Sequence, residues 1–384
     1  MANQLFDNQI PFMKPWLGDE EWNSLREIIN SGWVSQGPKV KEFEDLVADY
    51  LGVKYAVATN ACTSAMHLAL RIAGVKYGDE VILCDSTCMA NVNAVIMAGA
   101  IPVFVDADAR TFNIDPTLIE QKITAKTKAV MNIDQIGLPN DLDAIQEICN
   151  KHNLFLLDDA ATAFGATYKG KKLGGKGVVS TFSFHPRKMI TTGEGGMLVT
   201  NDADFAEKAR ILRSAGASIS DLERHKAKGT MLQKYYKNGY NYRMTDMQAA
   251  IGIVQMKKVN AILEQRTEQA IFYNEKFSGN EKIKTPFVPN YATHAWSSYC
   301  IKITEVSKKR VPEIIQEMTD KKIGVRYGIQ PLHQEPYFDS IGFKDEDYPV
   351  SCDIAENAMF LPIFPGLKQT EQAYVVDTLL NILQ

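Results

Sequence analysis

A chain of 384 residues, 45% hydrophobic and 23% charged, is long enough for two domains with a substantial core. Its 42 lysines and arginines stand against 46 aspartates and glutamates, a net charge of -4, which excludes a general nucleic-acid surface and requires any anionic ligand to be held by a local site. The N-terminus lacks the basic-then-apolar layout of a signal peptide and no apolar run is long enough to span a bilayer, so the expectation is a cytoplasmic protein with no membrane contact. The six cysteines have no CxxC spacing, which predicts free thiols and no metal site or disulfide framework.

The first predicted helix is capped by Asp19, runs through Trp22, Leu25 and Ile29, and stops near Ser31-Gly32. Gly32-Trp33-Val34-Ser35-Gln36-Gly37-Pro38 interrupts it. A second helix follows from Pro38 to about Tyr50, with Val40, Phe43, Leu46 and Val47 on one side. Tyr55-Ala56-Val57-Ala58-Thr59 reads as a buried strand, and Asn60-Ala61-Cys62-Thr63-Ser64 leads from it into a helix bearing Met66, Leu68 and Leu70. Strand, polar turn and helix start together make an anion site: unpaired N–H groups and the positive end of the macrodipole face the turn, and Thr63 and Ser64 add hydroxyls. A plain cap at Thr63 or Ser64 reads the same residues equally well.

The alternation continues with strands at 80–84, 101–105, 128–132 and 155–158 and helices at 90–98, 115–123 and 142–152. Repeated βα units predict an α/β fold with a mostly parallel sheet covered on both faces. Ligands of such sheets bind beyond the carboxyl ends of the strands, where Thr63, Cys88, Asp159 and Lys188 all fall. A carboxylate at Asp159 can pair with a ring nitrogen and keep it protonated, making the ring an electron sink. A turn or strand-end cap is the equal alternative. Gly170-Lys171-Lys172-Leu173-Gly174-Gly175-Lys176-Gly177 approaches the phosphate-loop pattern, but Gly177 stands where a metal-binding hydroxyl is needed and a strand follows.

Ser183-Phe184-His185-Pro186-Arg187-Lys188 then places a lysine on a loop between two β-rich runs, Val178–Phe184 and Gly196–Thr200. Partly apolar surroundings disfavour the ammonium, and the neutral amine is the form that attacks an aldehyde to make a Schiff base, which points to pyridoxal phosphate. Taken alone, Lys188 also reads as a solvated surface lysine. Residues 202–212 are predicted helical, and 213–238 form a polar, basic loop containing Arg224, His225, Lys226, Lys228 and Lys234. A long helix from Met247 to about Glu264 follows, with Thr245 as its cap. The βα rhythm weakens from about Gln265, so residues 1–255 are assigned to a large domain and 256–384 to a smaller α+β domain, with a strand at Tyr299–Ile303 and helices near 311–318 and 369–383.

In this order, the Gly32-Trp33 segment, Cys62-Thr63-Ser64-Ala65, Asp159-Ala160-Ala161, Ser183 to Lys188, Thr191 to Gly196 and Gly239-Tyr240-Asn241-Tyr242-Arg243-Met244-Thr245 resemble the DegT/DnrJ family of pyridoxal-phosphate-dependent sugar aminotransferases, of fold-type I. The resemblance implies that Lys188 holds pyridoxal 5'-phosphate covalently and shuttles the proton, that Asp159 pairs with the ring nitrogen, and that Thr63, Ser64 and Ser183 hold the phosphate. It implies that Asn241 reaches the cofactor of a neighbouring subunit, so that the working unit is a homodimer with shared sites. Trp33, His185, Arg326 and His333 fall at positions lining the family's substrate cleft, although His333 also reads as a core histidine and Arg326 as a surface charge. The implied reaction converts a nucleotide-linked keto-sugar to an amino sugar, with glutamate as the usual donor. Two residues depart from the pattern: Cys88 replaces an aromatic expected on the cofactor ring, and Thr162 replaces a glutamine or histidine. Sugar dehydration on the same scaffold is the alternative, but it replaces the lysine with histidine; a cofactor-binding regulatory protein is the other.

Overall fold

The computed structural model describes residues 9–175, 177–217, 234–235 and 237–384. Helices α1 (Asp19–Ser31) and α2 (Pro38–Leu51) precede strand β1 (Tyr55–Thr59). The cap of α1 is Gly18 rather than Asp19: its N–H donates to Glu21 Oε2 at 2.8 Å. Glu21 thus satisfies the helix start from inside the first turn, and Asp19 serves only the positive end of the dipole.

Next come α3 (Cys62–Ile72), β2 (Glu80–Cys84), α4 (Met89–Met97), β3 (Ile101–Val105), α5 (Pro116–Ile119), β4 (Thr127–Ile133), α6 (Leu142–His152) and β5 (Phe155–Asp159). The short strands β6 (Thr167–Tyr168) and β7 (Lys171–Lys172) pair with each other, so the Gly170 region forms a hairpin with no helix start in it. Strands β8 (Val179–Ser183) and β9 (Gly196–Thr200) and helix α7 (Ala203–Arg213) follow.

The main sheet has seven strands in the order β1-β9-β8-β5-β4-β2-β3. β9 is antiparallel to both its neighbours, and the other pairs are parallel. Six strands therefore end on one edge of the sheet, and β9 starts there. The central strands are apolar runs covered on both faces, as parallel strands must be: Val81, Ile82, Leu83, Val130, Met131 and Leu157 are fully buried.

Helix α8 (Asp246–Phe277) is capped by Thr245 Oγ1, which accepts from Gln248 N–H at 3.2 Å. Its first half packs Ala249, Ile253 and Met256 into the core of the large sheet, and its second half packs Ala270, Tyr273 and Phe277 into a separate core. The expected boundary after residue 255 thus falls inside a continuous helix, and the cores change over between Ile262 and Ala270. Beyond it lie β10 (Ile283–Lys284), β11 (Ala292–Thr293), β12 (Tyr299–Ile303), α9 (Val311–Asp320), β13 (Arg326–Tyr327), α10 (Pro349–Asn357), β14 (Ala358–Leu361) and α11 (Gln369–Ile382). Four of these strands form a second sheet, β10-β12-β14-β13. Among the described residues no helix is long and apolar enough to cross a membrane. Most of the basic segment 213–238, including Arg224, His225, Lys226 and Lys228, lies outside the described residues.

Candidate active site

The strand ends converge on the start of α3. Ala61 is its N-cap, and among the described residues no side chain caps it. Ser64 Oγ donates to Asn60 Oδ1 at 2.7 Å. Gly196, the first residue of β9, pairs with both Thr59 and Ser183. A Cβ on Gly196 would lie 2.5 Å from the Ala61 carbonyl and the Cys62 nitrogen, so only glycine lets β9 approach the helix start. That contact brings Ser183 to the end of α3 that carries Thr63 and Ser64. The result is a cradle of backbone amides at the positive end of a helix, flanked by hydroxyls, with the character of a phosphate site.

Asp159 ends β5 and is buried. Its Oδ1 accepts from Ala161 N–H at 3.1 Å, lies 3.5 Å from Thr181 Oγ1 and meets Cys62 Sγ at 3.7 Å; its Oδ2 accepts from Asn91 Nδ2 at 2.5 Å. Burial pushes its carboxyl above the usual range, against the opposing effects of Asn91 and of the Lys188 charge. Lys188 also acts electrostatically on Cys62, so the lysine, the acid and the α3 start share one field. A buried carboxylate short of positive charge suits a protonated ring nitrogen.

Lys188 itself is half-buried, followed by the buried Met189 and Ile190. Its loop is tied back on itself. Thr191 Oγ1 donates to the Phe184 carbonyl at 2.9 Å, Thr192 N–H to the same carbonyl at 2.9 Å, and Phe184 N–H to the Gly195 carbonyl at 3.0 Å. His185 Nδ1 accepts from Arg187 N–H at 3.2 Å, and burial lowers the pKa of its ring. Arg187 and Arg326 line one cleft of about 350 Å³ together with Pro186, Phe12 and Gly324. Arg326, read from sequence as either a cleft residue or a surface charge, is exposed and faces that cleft next to the Lys188 loop.

The remaining expected residues divide. Cys88 is exposed and is the N-cap of α4, whose Asn91 holds Asp159. Thr162 donates its hydroxyl to the Asp134 carbonyl at 2.6 Å. Trp33 Nε1 donates to the Gln36 carbonyl at 3.2 Å, so its ring belongs to its own turn. Asn241 is exposed and bridges to Ser214, while the carbonyl of adjacent Tyr242 accepts the Asn60 N–H at 2.9 Å just ahead of α3.

Of its two readings, His333 has the surroundings of the core histidine. It is buried; Nδ1 meets the Asp85 carboxylate at 2.7 Å, its N–H donates to Asp85 Oδ1 at 2.9 Å, and Nε2 meets Asp345 at 3.0 Å. With both ring nitrogens engaged it acts as a core histidine joining the end of β2 to the chain after β13.

Sequence reading missed Asn91 and a buried acid cluster around Asp158. Asn132 Nδ2 donates to Asp134 at 3.0 Å and to Asp158 at 2.8 Å, and Ser180 Oγ donates to Asp158 at 2.9 Å. Burial raises both carboxyls, that of Asp158 to about 6. The signal available was the doublet Asp158-Asp159 at a strand end.

The chain resembles known proteins over nearly its whole length. The chain is 37% identical over 379 residues to the spore coat polysaccharide biosynthesis protein SpsC of Bacillus subtilis, covering 98% of this chain and 97% of the relative. It is 37% identical over 380 residues to a GDP-perosamine synthase of Caulobacter vibrioides, covering 98% of each. Among solved structures, the putative sugar aminotransferase Spr1654 of Streptococcus pneumoniae in its PMP-form superposes with a TM-score of 0.92 at 28% identity, covering 97% of this chain and 98% of that one. The mostly parallel sheet that the βα order predicts is present, and the architecture is that of the fold-type I aminotransferases, as the family resemblance implies. With the profile of the DegT/DnrJ/EryC1/StrS aminotransferase family matched over residues 15–380, and relatives of this identity along nearly its whole length, the chain belongs to that family of enzymes.

Proposed function

We propose that the protein transfers an amino group from glutamate to a nucleotide-linked keto-sugar, using pyridoxal 5'-phosphate, as a homodimer in the cytoplasm. The observation that carries this reading is the half-buried Lys188 whose charge reaches the buried Asp159 beside an uncapped helix start. The residues fit the cofactor: Lys188 Nζ for its aldehyde, Asp159 for its ring nitrogen, and the amides at Cys62 to Ser64 with the Thr63, Ser64 and Ser183 hydroxyls for its phosphate. When bound, the cofactor supplies an electron sink for the carbon that loses its proton.

The chain's own groups do the rest. Lys188 Nζ, once free, takes the proton from the donor carbon and returns it on the other side of the exchange. Asp159 holds positive charge on the ring because its own burial makes an unpaired carboxylate costly. Arg187 and Arg326 present fixed positive charge to the phosphates of a nucleotide sugar, and the Caulobacter relative named for a GDP-sugar supports that class. Asn241, exposed on its own chain, is available to a second subunit's cofactor. Lys188 argues against the dehydratase alternative.

Purified protein reconstituted with pyridoxal phosphate should absorb in the visible, and the band should shift on adding glutamate. A screen of keto-sugar nucleotides then returns the amino sugar. No visible band after reconstitution overturns the reading.

A further inference from the structure

We propose that His333, Asp345 and Cys352 bind one borderline divalent cation of the zinc class, clamping the chain after β13 to the carboxyl end of β2. The inference is independent of the substrate and donor proposed above. One ligand atom from each of the three side chains lies within 4.8 Å of the others, making this the one such group among the described residues.

Two of the three ligand–ligand edges are near those of a formed site, and the third, between Asp345 and Cys352, is within 4.8 Å. Zinc bonds of about 2.0–2.1 Å to nitrogen, about 2.0–2.2 Å to oxygen and about 2.3 Å to sulfur place tetrahedral N and O ligands about 3.4 Å apart and N and S about 3.6 Å apart. His333 Nε2 lies 3.0 Å from Asp345 Oδ1 and 3.8 Å from Cys352 Sγ. Adjustments of about 0.4 Å or less would therefore complete the two edges.

The orientation of the imidazole is also fixed. Asp85, buried at the end of β2, takes Nδ1 at 2.7 Å and the His333 N–H at 2.9 Å, which directs Nε2 at Asp345 and Cys352. A carboxylate on the far nitrogen of a ligating histidine fixes its tautomer and raises its basicity. A histidine salt-bridged between Asp85 and Asp345 accounts for those two contacts, but not for a thiol on the same Nε2. The Gln334 amide donates to Asp345 Oδ1 at 3.0 Å and to Cys352 Sγ at 3.6 Å, which orients both of these ligands from outside as Asp85 orients His333. Nitrogen, sulfur and carboxylate donors together select a borderline ion over magnesium or calcium. Three protein ligands leave one position for water.

The clamp would act at the seam between the two sheets. Leu332 N–H already donates to the Asp85 carbonyl at 3.0 Å, and Ser86 bridges to Pro331. Cys88, at the cofactor end of the same loop, is three residues from Asp85.

Holoenzyme treated with chelator and dialysed is titrated with zinc by calorimetry and with cobalt by absorbance. The expected result is one ion per chain, with the sulfur-to-cobalt charge-transfer band that a thiolate ligand brings. Cys352→Ser should abolish that band, Asp85→Asn should weaken binding about 10–100-fold while keeping it, and Cys88→Ser should leave it unchanged. Absence of a cobalt–thiolate band in the parent protein, a band that survives in Cys352→Ser, or one that disappears in Cys88→Ser overturns the proposal.

Discussion

Asp159 and Asp85 stand at equivalent places, just at or past the carboxyl ends of parallel strands β5 and β2. Both are buried, and burial raises both carboxyls. They differ in what answers the charge. Asp85 is met within the fold by His333, through ring and backbone together. Asp159 receives an amide from Asn91, a backbone N–H, the Thr181 hydroxyl at 3.5 Å and a weak thiol contact, all neutral donors, with the Lys188 charge acting from the neighbouring loop. One sheet edge therefore holds a saturated acid that joins two parts of the molecule and an under-compensated acid that can hold a cationic ligand group. Satisfaction, more than position, separates the structural acid from the one proposed to meet the cofactor.

The largest test removes the lysine on the proposed cofactor side. Lys188→Ala should abolish borohydride-fixed cofactor attachment and lower turnover by about 10⁴-fold or more, since covalent attachment and proton transfer are lost together. Retention of a reducible adduct in that variant would falsify the assignment. On the structural side, Asp85→Ala leaves His333 buried without its partner and should cost about 3–5 kcal/mol in urea unfolding, while the visible cofactor band persists. Asp159→Asn should show the opposite pattern. Stability changes little because the amide removes a costly charge, and kcat falls about 10²–10³-fold as the ring loses its electrostatic partner. If the two aspartates give the same profile, the distinction between them fails.

A third acid sharpens the contrast. Asp158 precedes Asp159 on β5 and points to the opposite face of the sheet, and burial raises its carboxyl from an ordinary 3.8 to about 6. The folded state thus holds a proton that the unfolded chain has already lost, so this group's contribution to stability falls as pH rises from about 3.8 to about 6 and then levels off. Because the Asp134, Asp159 and Asp85 carboxyls are raised as well, Asp158→Asn should reduce, not abolish, the slope in unfolding measured across the window; an unchanged slope would assign it wholly to those groups.

Much of this arrangement is legible in the sequence where the signal is local. Helix Leu142–His152 and strands Gly196–Thr200 and Tyr299–Ile303 have the expected bounds, because periodicity and flanking turns carry them. The expected helix over 115–123 forms as an α-helical turn at Pro116–Ile119 that tightens into a 3-10 turn over Glu120–Lys122, with Leu118, Ile119 and Ile123 against the core. Helix α8 runs thirteen residues past its expected end at Glu264, to Phe277. Arg266 and Gln269 look like a polar stop, but Arg266 Nη1 donates to the carbonyls of Trp296, Ser297 and Ile363, and Gln269 Nε2 to that of Phe364. Tertiary partners thus make polar residues into core. The same reason hides Asn91 and the Asp85–His333 pair, whose contacts span 68 and 248 residues. Lys188, Asp159 and the α3 start stand out in the sequence because each lies at or just after the end of a strand.

The smallest expected effect concerns Cys88, at the face of the proposed cofactor site. Its side chain makes no capping hydrogen bond to α4 and it is exposed, so Cys88→Phe removes no cap. A ring there can stack on the cofactor, a contact worth about 0.5–1.5 kcal/mol beyond area burial, or about 2–10-fold tighter retention. Equilibrium dialysis of pyridoxal phosphate against the parent and variant measures it. An unchanged dissociation constant would mean that this end of α4 does not face the ring, and that Asn91 holds Asp159 from behind rather than from the cofactor side.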